Sequence, residues 1–183
     1  MKPEGLTPGL VWPTISRDDI KSSAVERDRI IDQVSPHSLW VGHSGDGSDA
    51  RRLHDLGIEA VVQVATEEAP LSPPRGLIYL RFPLSDGSGN PPAVLRLAVG
   101  AVAALIRFRV PTLVCCGMGL SRSPAIAAVA LAMVRRELPD DVLRALSDRH
   151  PVDVSPGFWR DVREIRAIPF GFESREASLG GHP

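Results

Sequence analysis

The segment from Thr112 to Arg136 constrains the fold of this chain most strongly. Residues 112–116, TLVCC, are a short and largely apolar run, which predicts a buried strand. Residues 124–136, PAIAAVALAMVRR, are nearly all apolar and predict a helix buried inside the domain. Only the tight loop Gly117–Ser121 separates the two. A buried strand that passes through a tight loop into a buried helix is typical of a parallel sheet covered by helices.

Weaker signals along the chain fit the same architecture. Further strands are predicted at Ser38–Gly42, Ile58–Ala65 and Leu77–Leu84. The last of these is predicted to be an edge strand, because Pro83 cannot donate to a ladder. Further helices are predicted at Asp49–Leu56, Ala93–Phe108, Pro139–Arg149 and Pro156–Arg166, and loops at 42–48 and 85–92. Strands that alternate with helices predict an α/β fold: a central four- to five-stranded, mainly parallel sheet with helices on both faces.

Proline spacing and polar composition divide the chain into three parts. Pro3, Pro8, Pro13 and Pro36 lie among polar residues, which predicts an N-terminal arm at 1–37. Residues 38–170 carry the predicted strands and helices and are long enough to form one domain with a sizeable core. The remaining tail, 171–183, is rich in Gly and Ser, and we expect it to be disordered.

The net charge of -1 excludes several classes of function. It offers no basic footprint for nucleic acid and no polybasic membrane anchor. No segment reaches the roughly 18 consecutive apolar residues of a membrane span, and the N-terminus lacks a secretory pattern. We therefore expect a cytoplasmic protein with no nucleic-acid partner and no membrane contact. The two cysteines, Cys115 and Cys116, are adjacent, which excludes an ordinary disulfide framework and argues against a zinc site.

The loop between the predicted strand and helix is suited to bind an anion. A loop that enters a helix N-terminus gathers backbone N–H groups around one point, beside the partial positive charge of the helix. Glycines let that backbone approach a phosphate-sized group closely. The residues predicted to contact a phosphate or sulfate ion are Gly117, Met118, Gly119, Leu120, Ser121 and Arg122.

Three side chains at this loop are predicted to carry the chemistry. Cys116 ends the strand, and the positive field of the loop stabilises its thiolate, which is the nucleophilic form of the side chain. Arg122 completes a Cys-x5-Arg spacing, and its planar fork can hold two phosphoryl oxygens. Ser123 can donate a hydrogen bond to the sulfur and help it leave from a phosphocysteine.

This loop resembles the signature of the dual-specificity protein phosphatases, within the tyrosine phosphatase superfamily. The chain reads CCGMGLSRS at 115–123 where that family has HCxxGxSRS, so Cys115 replaces a His, and Met118 stands where Ala is common. Similarity extends to LWVG at 39–42, to LGI and VVQVA within 56–65, and to HPV and SPGF within 150–158. The fragments HPV and SPGF are similar to the family's R-P-x-v-x-P-n-x-x-F segment. The resemblance covers about residues 38–168.

The resemblance implies that residues 38–170 form a cysteine-dependent phosphatase domain. In the family an Asp about thirty residues before the nucleophile is the general acid, and Asp86 fits that position. The implied reaction is phosphomonoester hydrolysis through a cysteinyl-phosphate, with no metal and no organic cofactor. The loop lacks lysine, which favours a phosphoprotein substrate over a phosphoinositide. Phosphotyrosine is the implied target, with phosphoserine and phosphothreonine as further candidates.

Other functions stay open. The departures at Cys115 and Met118 are compatible with a phosphate-binding pseudophosphatase, and rhodanese-like sulfurtransferases also use a cysteine loop. The Ser-Arg-Ser ending and Asp86 favour the phosphatase over both. The loop lacks the final glycine of the serine-hydrolase G-x-S-x-G elbow. The spacing of His37, His43 and His54 matches no metal-ligand signature.

Overall fold

The structure is a computed structural model that describes residues 31–34 and 37–165 of the chain. The predicted arm at 1–37 therefore lies mostly outside the described residues, and the predicted tail at 171–183 lies wholly outside them. Within the described part, the strands are β1 (Asp32–Gln33), β2 (Leu39–His43), β3 (Ala60–Gln63), β4 (Ile78–Arg81) and β5 (Thr112–Cys116). The helices are α1 (Ser44–Ser48), α2 (Ala50–Asp55), α3 (Pro92–Arg107), α4 (Arg122–Arg135), α5 (Pro139–Ser147) and α6 (Pro156–Arg163).

The five strands form one sheet in the order β1-β2-β5-β3-β4. The pairs β2–β5, β5–β3 and β3–β4 are parallel, and the short strand β1 pairs antiparallel with β2. The predicted α/β fold with a mainly parallel sheet is confirmed. The predicted edge position of the strand that contains Ile78–Arg81 is confirmed too, since β4 ends the sheet.

Helices cover both faces of the sheet with apolar clusters of unequal size. The larger cluster joins one face to α3, α4, α5 and α6, and it includes Val114, Ile126, Leu131, Leu143 and Phe158. The smaller cluster lies on the other face against α2, and it includes Trp40, Leu53, Val61, Leu113 and Cys115. The α4 helix is buried along most of its length, as its nearly all-apolar sequence predicts. This burial fixes the N-terminal end of α4 relative to the sheet.

The prediction of a loop at 42–48 is wrong, because Ser44–Ser48 form the short helix α1. Its glycines disfavour a helix by propensity. Side chains compensate at the N-terminus: His43 Nδ1 accepts a hydrogen bond from the Gly45 N–H at 3.0 Å, and Asp46 Oδ2 accepts one from the His43 N–H at 2.9 Å. Arg52 also binds the buried Asp46 carboxylate. A buried carboxylate network thus offsets poor local propensity.

None of the helices in the described part of the chain is long and apolar enough to cross a bilayer.

A pair of phenylalanines provides a test of where the core lies. Phe158 on α6 is completely buried, whereas Phe108 after α3 is 82% exposed. We predict that Phe158→Ala lowers the free energy of unfolding by about 3–5 kcal/mol, the usual cost of removing a buried ring. Phe108→Ala should change it by less than about 0.5 kcal/mol. Urea denaturation of the two variants measures both values, and equal losses would contradict the packing described here.

Candidate active site

The candidate site lies where the parallel strands end. In open α/β sheets the carboxyl ends of parallel strands meet at one edge, which is where such folds bind ligands. Here β5 ends at Cys116, β3 leads into the loop that carries Glu67, and β4 leads into the loop that carries Asp86. The sheet order places β5 in the middle, so the loops after β3 and β4 lie to one side of it and the end of β2 to the other.

The loop after β5 passes directly into α4, as predicted. Gly119 has a positive φ of 77°, and a side-chain carbon there would lie 3.0 Å from the carbonyl carbon of Gly42. Only glycine meets both conditions, because other residues are strained at positive φ and a Cβ would collide with the β2 backbone. The loop therefore packs tightly against the end of β2, with the positive end of α4 directly behind it.

Cys116 and Ser123 are brought together at the base of the loop. The Cys116 Sγ and Ser123 Oγ atoms are 3.2 Å apart, and both residues are buried. The Ser123 hydroxyl also lies 3.3 Å from the carbonyl oxygen of Gly42. It has one proton and two acceptors within reach, so it can donate to the carbonyl or to a thiolate. The predicted hydrogen bond from Ser123 to the sulfur is geometrically available.

Arg122 is the buried cation of the site, with 4% of its surface exposed. Its Nη1 donates to the Leu84 carbonyl at 2.8 Å and to Glu67 Oε2 at 2.5 Å, and its Nη2 donates to Glu67 Oε1. These contacts use three of the five guanidinium N–H groups. The Nε is buried and has no hydrogen-bond partner among the residues that the structure describes. The Nε–H and the remaining Nη2–H lie along the same edge of the planar group, which leaves one two-pronged edge for a ligand.

Glu67 is a site residue that sequence reasoning missed. Its carboxylate pairs with Arg122 through both oxygens, although its own side chain is half exposed. The hydrogen bond from Arg122 is the main cause that lowers the pKa of Glu67 below its ordinary value of 4.5. Burial alone lowers the pKa of Arg122, but the Glu67 hydrogen bond and the charges of Cys116 and Asp86 raise it overall. Both groups therefore stay ionised.

Glu68 lies beside the same loop without joining the pair. A side-chain carbon at Gly117 would lie 3.0 Å from Glu67 Oε1 and 3.1 Å from Glu68 Oε1, so both carboxylates border the loop. Of these two carboxylates, only Glu67 bonds to Arg122 among the described contacts. The main chain of this segment is held by Arg81, whose Nη2 donates to the Glu68 carbonyl at 3.0 Å.

Asp86 lies on a neighbouring loop that reaches the Cys116 loop. The Ser121 hydroxyl donates to Asp86 Oδ1 at 2.6 Å, and the Asp86 side chain is otherwise exposed. Asn90, which sequence reasoning also missed, organises this loop from its buried position. Its Oδ1 accepts from the Ser85 N–H at 2.8 Å, and its Nδ2 donates to the Ser85 and Gly87 carbonyls at 3.0 Å. One amide thus closes the turn that presents Asp86.

The remaining predicted contact residues differ in exposure. Met118 is 63% exposed at the mouth of the loop, whereas Ser121 is buried beneath it. Leu120 is partly buried, and its carbonyl accepts a hydrogen bond from the Asp153 N–H at 2.8 Å. Met118 is therefore the apolar side chain of the loop that a substrate meets.

The two cysteines lie on opposite faces of the sheet. Cys115 is fully buried in the smaller cluster, whereas Cys116 belongs to the larger one. Burial is the main cause that raises the pKa of the Cys115 thiol, and the nearby charges of Cys116, Asp46 and Glu68 add to it. Cys115 is therefore a neutral core residue, as its apolar surroundings predict.

The histidines considered as metal ligands have other partners. His37 Nε2 accepts a hydrogen bond from Arg135 at 3.0 Å, His43 caps α1, and His54 is highly exposed. Within residues 31–34 and 37–165, no three metal-ligating side chains are brought together.

Solved structures similar to this chain are phosphatases or phosphatase-like proteins. A mouse protein described as a putative dual-specificity phosphatase, in complex with zinc tungstate, is 25% identical with a TM-score of 0.67, over 79% of this chain and 89% of that one. Human DUSP28 is 24% identical with a TM-score of 0.66, over 75% and 93% of the two chains. A human tyrosine phosphatase-like serine/threonine/tyrosine-interacting protein is 18% identical with a TM-score of 0.60, over 69% and 89%. No family profile and no curated protein matches the chain.

The Glu67–Arg122 pair generates a prediction with a built-in control. Glu67→Gln should lower the affinity of the site for inorganic phosphate by about tenfold. An amide cannot accept both guanidinium bonds, and we expect the lost orientation of Arg122 to outweigh the removal of a negative charge beside the anion. Glu68→Gln removes an equal charge beside the same loop and should leave the affinity unchanged or slightly higher. Since a lowered pKa keeps Glu67 ionised above its ordinary value of 4.5, the effect should stay constant from about pH 5 to 8.

Isothermal titration of inorganic phosphate into the wild type and both variants measures this difference. Equal losses in Glu67→Gln and Glu68→Gln would show that charge near the loop matters and that the guanidinium contact does not.

Proposed function

We propose that this chain, which has the fold of the dual-specificity phosphatases, is a cysteine-dependent phosphatase that hydrolyses phosphomonoesters. The free edge of Arg122 is the observation that carries the proposal. A buried N–H without a partner costs free energy, and none of the described residues accepts a hydrogen bond from the Nε of Arg122. A tetrahedral oxyanion can accept from Nε and Nη2 together, which satisfies the orphaned donor.

The neighbouring groups support a phosphoryl transfer in two steps. In the first step the Cys116 thiolate attacks phosphorus, an S–P bond forms, and the bond from phosphorus to the ester oxygen breaks. Asp86 supplies the proton that the departing oxygen needs. The edge of Arg122 and the N-terminus of α4 stabilise the negative charge on the equatorial oxygens.

In the second step water replaces the enzyme sulfur. Asp86, now a carboxylate, takes a proton from the attacking water, an O–P bond forms, and the S–P bond breaks. Cys116 leaves as a thiolate, and Ser123 donates its hydrogen bond to that charge instead of to the Gly42 carbonyl. Inorganic phosphate then leaves, and the site returns to its starting protonation state.

The proposed substrates are phosphoproteins, with phosphotyrosine first and phosphoserine and phosphothreonine beside it. The loop of residues 117–121 adds no cationic side chain to Arg122, and Glu67 and Glu68 border it. A substrate that carries several phosphates meets more repulsion at this mouth than a polypeptide with a single phosphoryl group does. We place the reaction in the cytoplasm, where the thiol at Cys116 stays reduced.

The leaving group provides the sharpest kinetic test of this mechanism. We predict that Asp86→Asn lowers kcat for phenyl phosphate by about 10²–10⁴-fold, since a phenoxide leaving group needs the proton. For an aryl phosphate with a strongly acidic phenol the loss should be much smaller. Cys116→Ser should abolish turnover of both substrates while the circular dichroism spectrum stays unchanged. Equal losses for both substrates in Asp86→Asn would remove Asp86 from the proton-donor role.

A phosphate-binding module without turnover is the second candidate, and one observation favours it. Glu67 already neutralises much of the Arg122 charge, which lowers the attraction that a transition state receives. In that case phosphate protects Cys116 from alkylation, but no aryl phosphate is turned over at any pH. Alkylation and turnover measured side by side on the wild-type protein separate the two candidates.

A further inference from the structure

We propose that His150 is a positioning residue of the site, held by Asp32, and that it fixes the direction of the Gly119–Leu120 peptide. The pair keeps the Leu120 N–H turned into the anion site. This inference rests on the proposed function, because it concerns the loop that would bind the phosphoryl group.

His150 is buried between two acceptors. Only 3% of its surface is exposed. Its Nε2 lies 2.8 Å from the Gly119 carbonyl oxygen, and its Nδ1 lies 2.8 Å from Asp32 Oδ2. A single ring therefore connects the loop after β5 to the edge strand β1. The Asp32 side chain is 36% exposed, so the far end of this connection reaches the surface.

The two partners determine the protonation state of the ring. A carbonyl oxygen and a carboxylate can only accept hydrogen bonds. Beside an Asp32 carboxylate, this arrangement lets both ring nitrogens donate, which is the hydrogen-bond pattern of an imidazolium. A charged donor makes a shorter and stronger hydrogen bond to the Gly119 carbonyl than a neutral ring would.

The hydrogen bond to Gly119 also fixes the orientation of the next N–H group. In a planar trans peptide the carbonyl and the N–H point in opposite directions. Since the Gly119 carbonyl is turned towards His150, the Leu120 N–H points away from His150. The adjacent peptide is held in the same way, because the Leu120 carbonyl accepts from the Asp153 N–H at 2.8 Å. The segment 150–153 thus anchors two successive peptides of the loop.

The charges around His150 leave Asp32 as its direct counterion. Among the described residues, Asp32 is the only carboxylate within 4.0 Å of the ring nitrogens. The loop that His150 contacts lies between Cys116 and the charged side chain of Arg122. The charged side chains nearest in sequence, Arg149 and Asp153, are exposed. Loss of the Asp32 charge therefore removes the group that keeps the second proton on the ring.

The sequence gives this contact a distinct chemical character. His150 stands where the family segment that this chain resembles has Arg, a side chain that is always charged. A histidine in that place has a partner that the family's Arg would not need in order to carry a charge, the Asp32 carboxylate at 2.8 Å. Asp32 lies in the predicted N-terminal arm, yet it belongs to β1 and bonds to a residue more than a hundred positions later. Within the described residues, the arm therefore contributes the Asp32 carboxylate to this contact.

Alkylation of Cys116 by iodoacetate at about pH 7, with and without inorganic phosphate, tests the inference without any turnover. The variants are His150→Ala and Asp32→Asn, and the control is His54→Ala, whose side chain is 89% exposed. We expect phosphate protection to weaken about tenfold in His150→Ala and at least about threefold in Asp32→Asn, because one charge-assisted hydrogen bond is lost or reduced. The control should match wild type. A two-bond ¹H–¹⁵N spectrum of the wild-type ring should show protons on both nitrogens.

Unchanged protection in a folded Asp32→Asn, or a ring with one bare nitrogen, would overturn the inference. Asp32→Asn removes charge without removing atoms, so it decides the question even where His150→Ala fails to fold. If the wild-type protein hydrolyses aryl phosphates and both variants show the same phosphate protection as wild type, the role of His150 is refuted and the proposed phosphatase activity is not. If phosphate protects the wild-type protein, protects the variants less, and no aryl phosphate is hydrolysed, the role of His150 is supported. The proposed phosphatase activity is then refuted.

Discussion

A buried guanidinium is the group on which the rest of this site depends. Removing a charge from water is expensive unless the charge is paired and hydrogen-bonded, so Arg122 needs partners on every side. The described part of the chain supplies them on two edges, through the Leu84 carbonyl and the Glu67 carboxylate, and leaves the third edge bare. The position of α4 keeps the Arg122 guanidinium buried. Because the helix is packed along most of its length, it is not free to shift and expose this charge to water. The bare edge is where an anionic ligand completes the structure.

The loop around this cation is held from several directions by contacts between distant parts of the chain. Gly119 packs on the end of β2, and Ser121 binds Asp86. His150 and the Asp153 N–H bond to the carbonyls of Gly119 and Leu120. Such preorganisation matters because donors that already point at a binding site need no rearrangement when charge develops. The adjacent cysteines show the same division between scaffold and site. Strand alternation turns the Cys115 side chain into the smaller apolar cluster. It turns the Cys116 side chain to the opposite face, where the strand ends beneath the loop.

Local sequence patterns predicted the parts of this architecture that depend on neighbours along the chain. Cys116, Arg122 and Ser123 flank one tight loop between the strand TLVCC and the apolar helix. Their closeness in sequence was therefore enough to predict that they meet. Glu67, Asn90 and the Asp32–His150 pair were missed, because each acts through a partner that periodicity cannot locate. The α1 helix was missed for a related reason: its glycines argue for a loop, and a buried carboxylate outweighs them. Asp86 was found only through family resemblance, since Asp-Gly by itself is typical of a turn.

In the proposed mechanism, the bare edge of Arg122 and the sulfur of Cys116 act on one phosphoryl group. Rapid acid quenching of the wild-type protein during turnover of a ³²P-labelled aryl phosphate, followed by peptide mapping, tests it most directly. We expect acid-stable label on the peptide that contains Cys116, with none in Cys116→Ser. Turnover of the ester with no label on that peptide, or label that persists in Cys116→Ser, would contradict it.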